Sequence, residues 1–274
     1  MIILIKGAGD LATGIAHRLK VCGFEVVMTE IAMPTTVRRT VAFSQAVFDG
    51  STEVEGVKAV LAEDVSKVYK ILEEGHIPVI IDSDADIINK IKPQVVVDSI
   101  IGKVNCGNTS IDDAPIVIAV GPGFTAGIDC HCIIESQRGH YLGRTIYEGS
   151  AIPNTGVPGN IGGYTVERII RATGNGIIKP VSQIGDYVEQ GQIVAYVRQS
   201  CDENSKEHDD LCVYASISGI VRGMLAEGVS VHKGMKAGDI DPRCERKHCF
   251  TISDKARSIG GGVLEAILTM SQVR

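Results

Sequence analysis

The stretch MIILIKGAGDLATG, residues 1–14, decides how the first part of the chain is read. Its apolar opening reads as a buried strand over residues 1–5, and Gly7, Gly9 and Gly14 follow at once. From Leu11, apolar residues recur at Ile15, Ala16 and Leu19, the spacing of one helix face, until Gly23 ends the pattern. Residues 24–29 read as a second strand. Strand, glycine turn, helix and strand make a βαβ unit whose turn fits G-x-G-x-x-A. In such a turn Gly7 permits the bend, Gly9 lets a phosphate approach the backbone, and the helix N-terminus offers free N–H groups and a positive dipole end. Glu30 lies 21 residues after Gly9, where a carboxylate would hold ribose hydroxyls and favour NAD over NADP. Asp10 stands inside the loop, where it would cap the helix and repel a diphosphate. The same turn also packs helix on strand without any ligand.

Further short apolar runs lie at residues 78–82, 95–98 and 116–120, separated by amphipathic stretches around 64–73 and 85–91. This alternation predicts an α/β, Rossmann-like, doubly wound parallel sheet, with ligands beyond the carboxyl ends of its strands. Those ends carry the first glycine loop, Glu30, Asp82, Asp98 and a second glycine loop with Gly121, Gly123 and Gly127. The second loop suits an anion nest or a tight crossover. Asp129-Cys130-His131-Cys132 follows. In a strand its two cysteines share one face, and Asp129 and His131 the other. Cys130 is the candidate nucleophile, with Asp129 and His131 the candidate polar catalytic residues. A buried strand bearing thiols is the plainer reading, and no metal site is assigned. Arg138 and Arg144 stand in a polar, irregular segment, where guanidinium forks would grip an anion or simply be solvated.

An internal repeat occupies the later part. Gly176, Gly185 and Gly191 recur 43 residues on as Gly219, Gly228 and Gly234. Two such halves bury a core only against each other. The pattern, with Gly185-Asp186-Tyr187-Val188 and Gly191-Gln192, predicts an all-β barrel-sandwich domain of the biotinyl/lipoyl-like kind. The link between the halves has Lys206 as its only lysine, without the flanking pattern of a covalent carrier, and also holds Cys201 and His208. The tail reads as a terminal helix starting after Gly260-Gly261-Gly262. The expected organisation is 1–128 for the Rossmann-like domain, 129–172 for a polar connection, 173–245 for the barrel sandwich and 246–274 for a helix docking on the first domain.

Composition excludes several classes. The chain has 274 residues, 44% hydrophobic and 22% charged, which is globular composition and not disorder. A net charge of −6, aromatic content of 4% and no Trp argue against a nucleic-acid binder. No apolar run reaches the roughly 20 residues of a membrane span, and residues 1–10 lack the pattern of a signal peptide. The eight cysteines then read as free thiols in a cytoplasmic protein, and a homo-oligomer is allowed.

Assembled, these motifs carry a resemblance. Residues 6–14 (KGAGDLATG), 37–43 (VRRTVAF), 121–127 (GPGFTAG), Arg138-Gly139-His140 with Gly143-Arg144, and 260–266 (GGGVLEA) resemble the selenium-dependent molybdenum hydroxylase maturation proteins of the YqeB type. In theme these are related to XdhC-type maturation factors. The resemblance implies an accessory role with a client molybdenum hydroxylase and a molybdopterin-type cofactor or nucleotide on the rim of the sheet. Gly7, Gly9, Asp10, Gly14, Glu30, Gly121, Gly123 and Gly127 would then line the ligand, and Arg38, Arg39, Arg138 and Arg144 would offset its charge. The alternatives are an NAD(P)-dependent oxidoreductase and a non-enzymatic docking scaffold.

Overall fold

The computed structural model describes residues 1–199 and 210–272. They divide into two compact units: residues 1–34, 42–155 and 252–272 form unit 1, and residues 35–41, 156–199 and 210–251 form unit 2. Cys201, Lys206 and His208 lie outside the described residues. Among the described residues no helix is long and apolar enough to cross a membrane.

Unit 1 is built on nine strands: β1 (Ile2–Lys6), β2 (Glu25–Glu30), β3 (Ser51–Val54), β4 (Val57–Ala62), β5 (Ile77–Ile81), β6 (Val95–Asp98), β7 (Ile116–Val120), β8 (Cys132–Ile134) and β9 (Thr145–Ile146). Their order in the sheet is β3-β4-β5-β2-β1-β6-β7-β8-β9. The strands from β4 to β8 run parallel, and one antiparallel strand closes each edge. The central strands are continuous apolar runs because both their faces are covered. Helix α1 (Asp10–Val21) buries Ala12, Ile15, Ala16 and Leu19. Single turns form α2 (Ala46–Asp49) and α4 (Ile88–Ile91). Helix α3 (Val65–Glu73) starts at Asp64, whose carboxylate accepts the Lys67 N–H at 3.0 Å, and its Val68 and Ile71 join the core cluster that holds Leu4, Val27 and Val96. The last helix, α5 (Asp254–Gln272), packs along α1.

Unit 2 holds two antiparallel four-stranded sheets. One is β10 (Ile169–Arg171), β17 (Lys236–Asp241), β15 (Gly219–Met224) and β12 (Tyr187–Val188). The other is β14 (Leu211–Tyr214), β13 (Ile193–Arg198), β11 (Gly176–Pro180) and β16 (Ser230–Val231). The repeat reappears strand for strand, and each half lends its short middle strand to the other half's sheet. Gly176 shows why glycine recurs: its φ is +150°, and a Cβ there would lie 2.0 Å from the Arg198 carbonyl oxygen.

The expected fold class, a doubly wound parallel sheet joined to a biotinyl/lipoyl-like barrel sandwich, is corrected to a mixed sheet plus two antiparallel sheets. Residues 51–62 pair as a hairpin across Glu55 and Gly56, both at positive φ (47° and 81°), which puts an antiparallel strand on the sheet's edge. The connections 99–115 and 121–131 hold no helix. The repeat is also longer than the glycine spacing shows, since β10 and β14, 43 residues apart, add one strand to each sheet.

The expected boundaries shift as well. Residues 129–172 are divided, with β8 and β9 in unit 1 and β10 in unit 2. Residues 246–251 stay in unit 2, where the Arg38 guanidinium donates to the His248 and Thr251 carbonyls and the Thr40 hydroxyl to that of Cys249. The tail helix begins at Asp254, capped by Ser253, whose Oγ accepts the Ala256 N–H at 3.2 Å. Its three glycines lie in the helix interior.

Candidate functional site

The carboxyl ends of the parallel strands form a polar rim. At its centre Gly7 has φ +89° and donates its N–H to the Thr29 carbonyl at 3.0 Å, and a side chain there would press on Ser99 O at 3.2 Å. Gly9 is the N-cap of α1 and brings no side-chain cap, so the first turn keeps N–H groups for an anion. Ser99 extends the rim: it is 4% exposed, and its hydroxyl has no hydrogen-bond partner.

Glu30 turns back onto this loop and accepts the N–H groups of Ala8 and Ile31, each at 2.9 Å. Burial pushes its carboxyl above the ordinary range, against those two donors. A carboxyl raised in the folded state contributes its stability below the unfolded value and loses it as the pH rises through the folded one. Glu30→Gln is therefore expected to flatten the loss of urea stability that sets in as the pH rises past the ordinary carboxylate range. Parallel curves for variant and parent would rule this out.

The second glycine loop is a packing device. A Cβ on Gly121 would lie 2.5 Å from Ser136 Oγ, and one on Gly123 2.7 Å from Val104 Cα. Gly127 closes a turn by donating its N–H to the Cys130 carbonyl at 2.7 Å.

The expected catalytic group does not assemble. Cys130 is fully buried, and its thiol is pushed up to about 12 by burial first and by Cys132 second, so it is no thiolate nucleophile. Asp129 accepts the Thr125 N–H at 2.7 Å, closing its own turn. His131 accepts the Val117 N–H at Nδ1, 3.0 Å, beside the start of β7 and away from the rim. The arginines separate too. Arg38 and Arg39 belong to unit 2, where Arg39 Nε donates to the Met224 carbonyl at 2.9 Å. Arg138 forms a bidentate pair with Asp254, and Arg144 lies over the Tyr141 ring, 5.4 Å from its centroid. Gly14 contacts α5, where a Cβ would lie 2.6 Å from that of Ala256, so its role is helix packing.

That contact reveals a group the sequence did not mark. It sets α1 against the start of α5, and Lys255, next to Ala256 in the first turn of α5, feels the charge of Asp10 in the first turn of α1. Lys255 is half-buried, with Asp10, Glu135, Arg138 and Asp254 as its charged surroundings. Burial, with Arg138 adding to it, lowers its pKa more than the three carboxylates restore it. Among the described residues its ammonium makes no hydrogen bond and no ion pair. Glu135, 1% exposed, accepts the Gln137 and Ile152 N–H groups and leads into a cleft of about 660 Å³ lined also by Tyr141, Arg144, Thr145, Tyr147 and Ser150. Among the described residues no group of three or more His, Cys, Asp or Glu is placed to hold a metal ion.

No family model matches the chain. It is 49% identical over 269 residues to "Uncharacterized protein YqeB" of Escherichia coli K12, covering 98% of this chain and 48% of that protein. The chain thus spans about half the length of the curated relative it matches. Solved structures that it resembles include an aspartoacylase family protein from Mesorhizobium loti (10% identity, TM-score 0.28) and a succinylglutamate desuccinylase/aspartoacylase from Rhodobacter sphaeroides (13%, 0.30). A third is the ectoine utilization protein EutE of Ruegeria pomeroyi (11%, 0.29); each covers 87% of this chain and 84% of the other. Likeness at that level transfers no activity. These structures are named as aspartoacylases, a desuccinylase and an ectoine utilization protein, and the curated relative is named without a role. The expected maturation role finds no support in these names and is not carried further. Its selenium chemistry goes with it, as do the oxidoreductase and scaffold alternatives, while the client hydroxylase is tested by none of these findings.

Proposed function

We propose that unit 1 binds a phosphorylated nucleotide at the carboxyl end of its parallel strands, with the phosphates over the adjoining first turns of α1 and α5. The observation that carries this reading is Lys255, a half-buried ammonium without a bonded partner beside two helix N-termini. An anion there would use the free N–H groups, the Ser99 hydroxyl and the lysine together. Glu30 suits a ribose hydroxyl as acceptor. The cleft beyond Glu135 falls within the roughly 300–1,000 Å³ usual for small-molecule sites, and the Arg144–Tyr141 stack gives it a flat wall for a base.

Calorimetric titration with ADP, NAD and adenosine tests this. ADP or NAD should bind, adenosine should bind far more weakly, and Lys255→Ala should cost the phosphorylated ligand about ten- to a hundredfold in affinity, as for one charged hydrogen bond. Equal binding of adenosine and ADP, or no nucleotide binding at all, would overturn the proposal.

A further inference from the structure

Unit 2 holds a second anomaly, independent of the rim. Arg222 projects from β15 with its side chain only 12% exposed, and its guanidinium makes no hydrogen bond among the described residues. Its nearest carboxylate, Asp241, is 3.9 Å away and already committed, since Arg243 holds both its oxygens at 2.9 and 2.6 Å. The other acid nearby, Asp239, gives Oδ2 to Arg168 at 3.0 Å, and its Oδ1 is buried but makes no hydrogen bond to Arg222. Around Arg222 stand two further cations, Arg38 and Arg243. Arg38 anchors the turn that carries His248, whose ring Nδ1 is likewise buried without a partner.

A guanidinium has five donors in a fixed fork and stays charged in proteins. The buried Nε–H of Arg222 is one such donor left unmet, which is costly, and nearby like charges add to the cost. Burial, followed by Arg38, pulls the Arg222 pKa below the usual arginine value. A group so placed gains most from an anionic oxygen pair that meets its fork.

We infer that Arg222 is the anchor of an oxyanion site in unit 2, taking a phosphate or sulfate oxygen pair, either as a free ion or as the terminal group of a larger molecule. The rim of unit 1 has no part in it.

The test reads Arg222 directly. In the full chain labelled with ¹⁵N-arginine, the Nε–H signal missing from Arg222→Met identifies the residue. Titration with inorganic phosphate should shift that signal saturably in the parent protein and equally in Lys255→Ala. Arg222→Met should weaken phosphate binding to unit 2 at least tenfold, and Arg222→Lys, which keeps the charge and loses the fork, should fall between. Phenyl phosphate binding as tightly as phosphate would identify a phosphoryl group on a larger molecule as the ligand, and phosphate alone binding would identify the free ion. If Arg222→Met does not fold, the parent titration and Arg222→Lys still decide. An unmoved Arg222 signal with both phosphate and sulfate, or a shift abolished by Lys255→Ala, would overturn the inference.

Discussion

Lys6→Met is expected to destabilise unit 1 by about 3–5 kcal/mol, the range for removing one partner of a buried ion pair. Lys6 ends β1 and is 3% exposed. Its ammonium donates to Asp113 Oδ2 at 2.8 Å, to Thr109 Oγ1 at 2.9 Å and to the Gly107 carbonyl at 3.2 Å. The Thr109 hydroxyl in turn donates to Asp98 Oδ2 at 2.7 Å, and Asp98 is 2% exposed. Methionine fills a similar volume, so packing changes little, but both carboxylates lose their only cation in this network. Burial already raises the Asp98 pKa, with Lys6 among the influences that hold it down, so the loss raises it further. The penalty should therefore shrink as the pH falls into the carboxylate range and the acids become neutral. Denaturant unfolding of Lys6→Met at a series of pH values checks both statements. Adding Asp98→Asn should recover part of the loss, because the two changes share one network. A penalty below about 1 kcal/mol at neutral pH, or one that grows on acidification, would refute this account.

The same network explains why the crossover after β6 holds no helix. Alternation of strands and helices predicts a helix between β6 and β7, but residues 99–115 are held by Lys6, more than a hundred positions back in the chain. No local periodicity encodes such a tie. What was legible was local: residues 1–5, 95–98 and 116–120 are unbroken apolar runs, and each became a buried strand. The 43-residue repeat was legible too, because positive-φ turns demand glycine at fixed intervals. The β3–β4 hairpin was hidden by the charges on its exposed face, Glu53 and Lys58. Arg38 and Arg39 looked like ligand grips because sequence shows charge and not location; their segment is a part of unit 2. Lys255 was missed for a different reason. In the sequence Gly260, Gly261 and Gly262 read as the end of a loop, since glycine is a poor helix former, which puts the expected start of α5 past the lysine. Ser253 was the available signal, a capping residue ahead of Asp254 in the first turn.

Those three glycines should behave differently although they are neighbours in one helix. Gly262→Ala is expected to lower stability by about 1–3 kcal/mol, the usual cost of overpacking. A Cβ there would lie 2.2 Å from the Gly143 carbonyl oxygen and 3.0 Å from Ile134 Cγ2. The first of these is backbone and cannot rotate away, so the loop before β9 must move. Gly261→Ala meets nothing within 4 Å and should raise stability by up to about 1 kcal/mol through helix propensity. Gly260 is intermediate, with its Cβ at 3.0 Å from the Gly14 carbonyl oxygen. The displaced loop carries Tyr141 and Arg144, which line the cleft, so Gly262→Ala should also weaken nucleotide binding while Gly261→Ala leaves it unchanged. Thermal unfolding and titration of the two variants side by side give the answer. If both alanines stabilise the protein, helix propensity governs this segment and α5 is not held against its neighbours by glycine contacts. If Gly262→Ala is destabilising yet binds nucleotide as the parent does, the cleft takes no part in binding and the ligand is confined to the two helix N-termini.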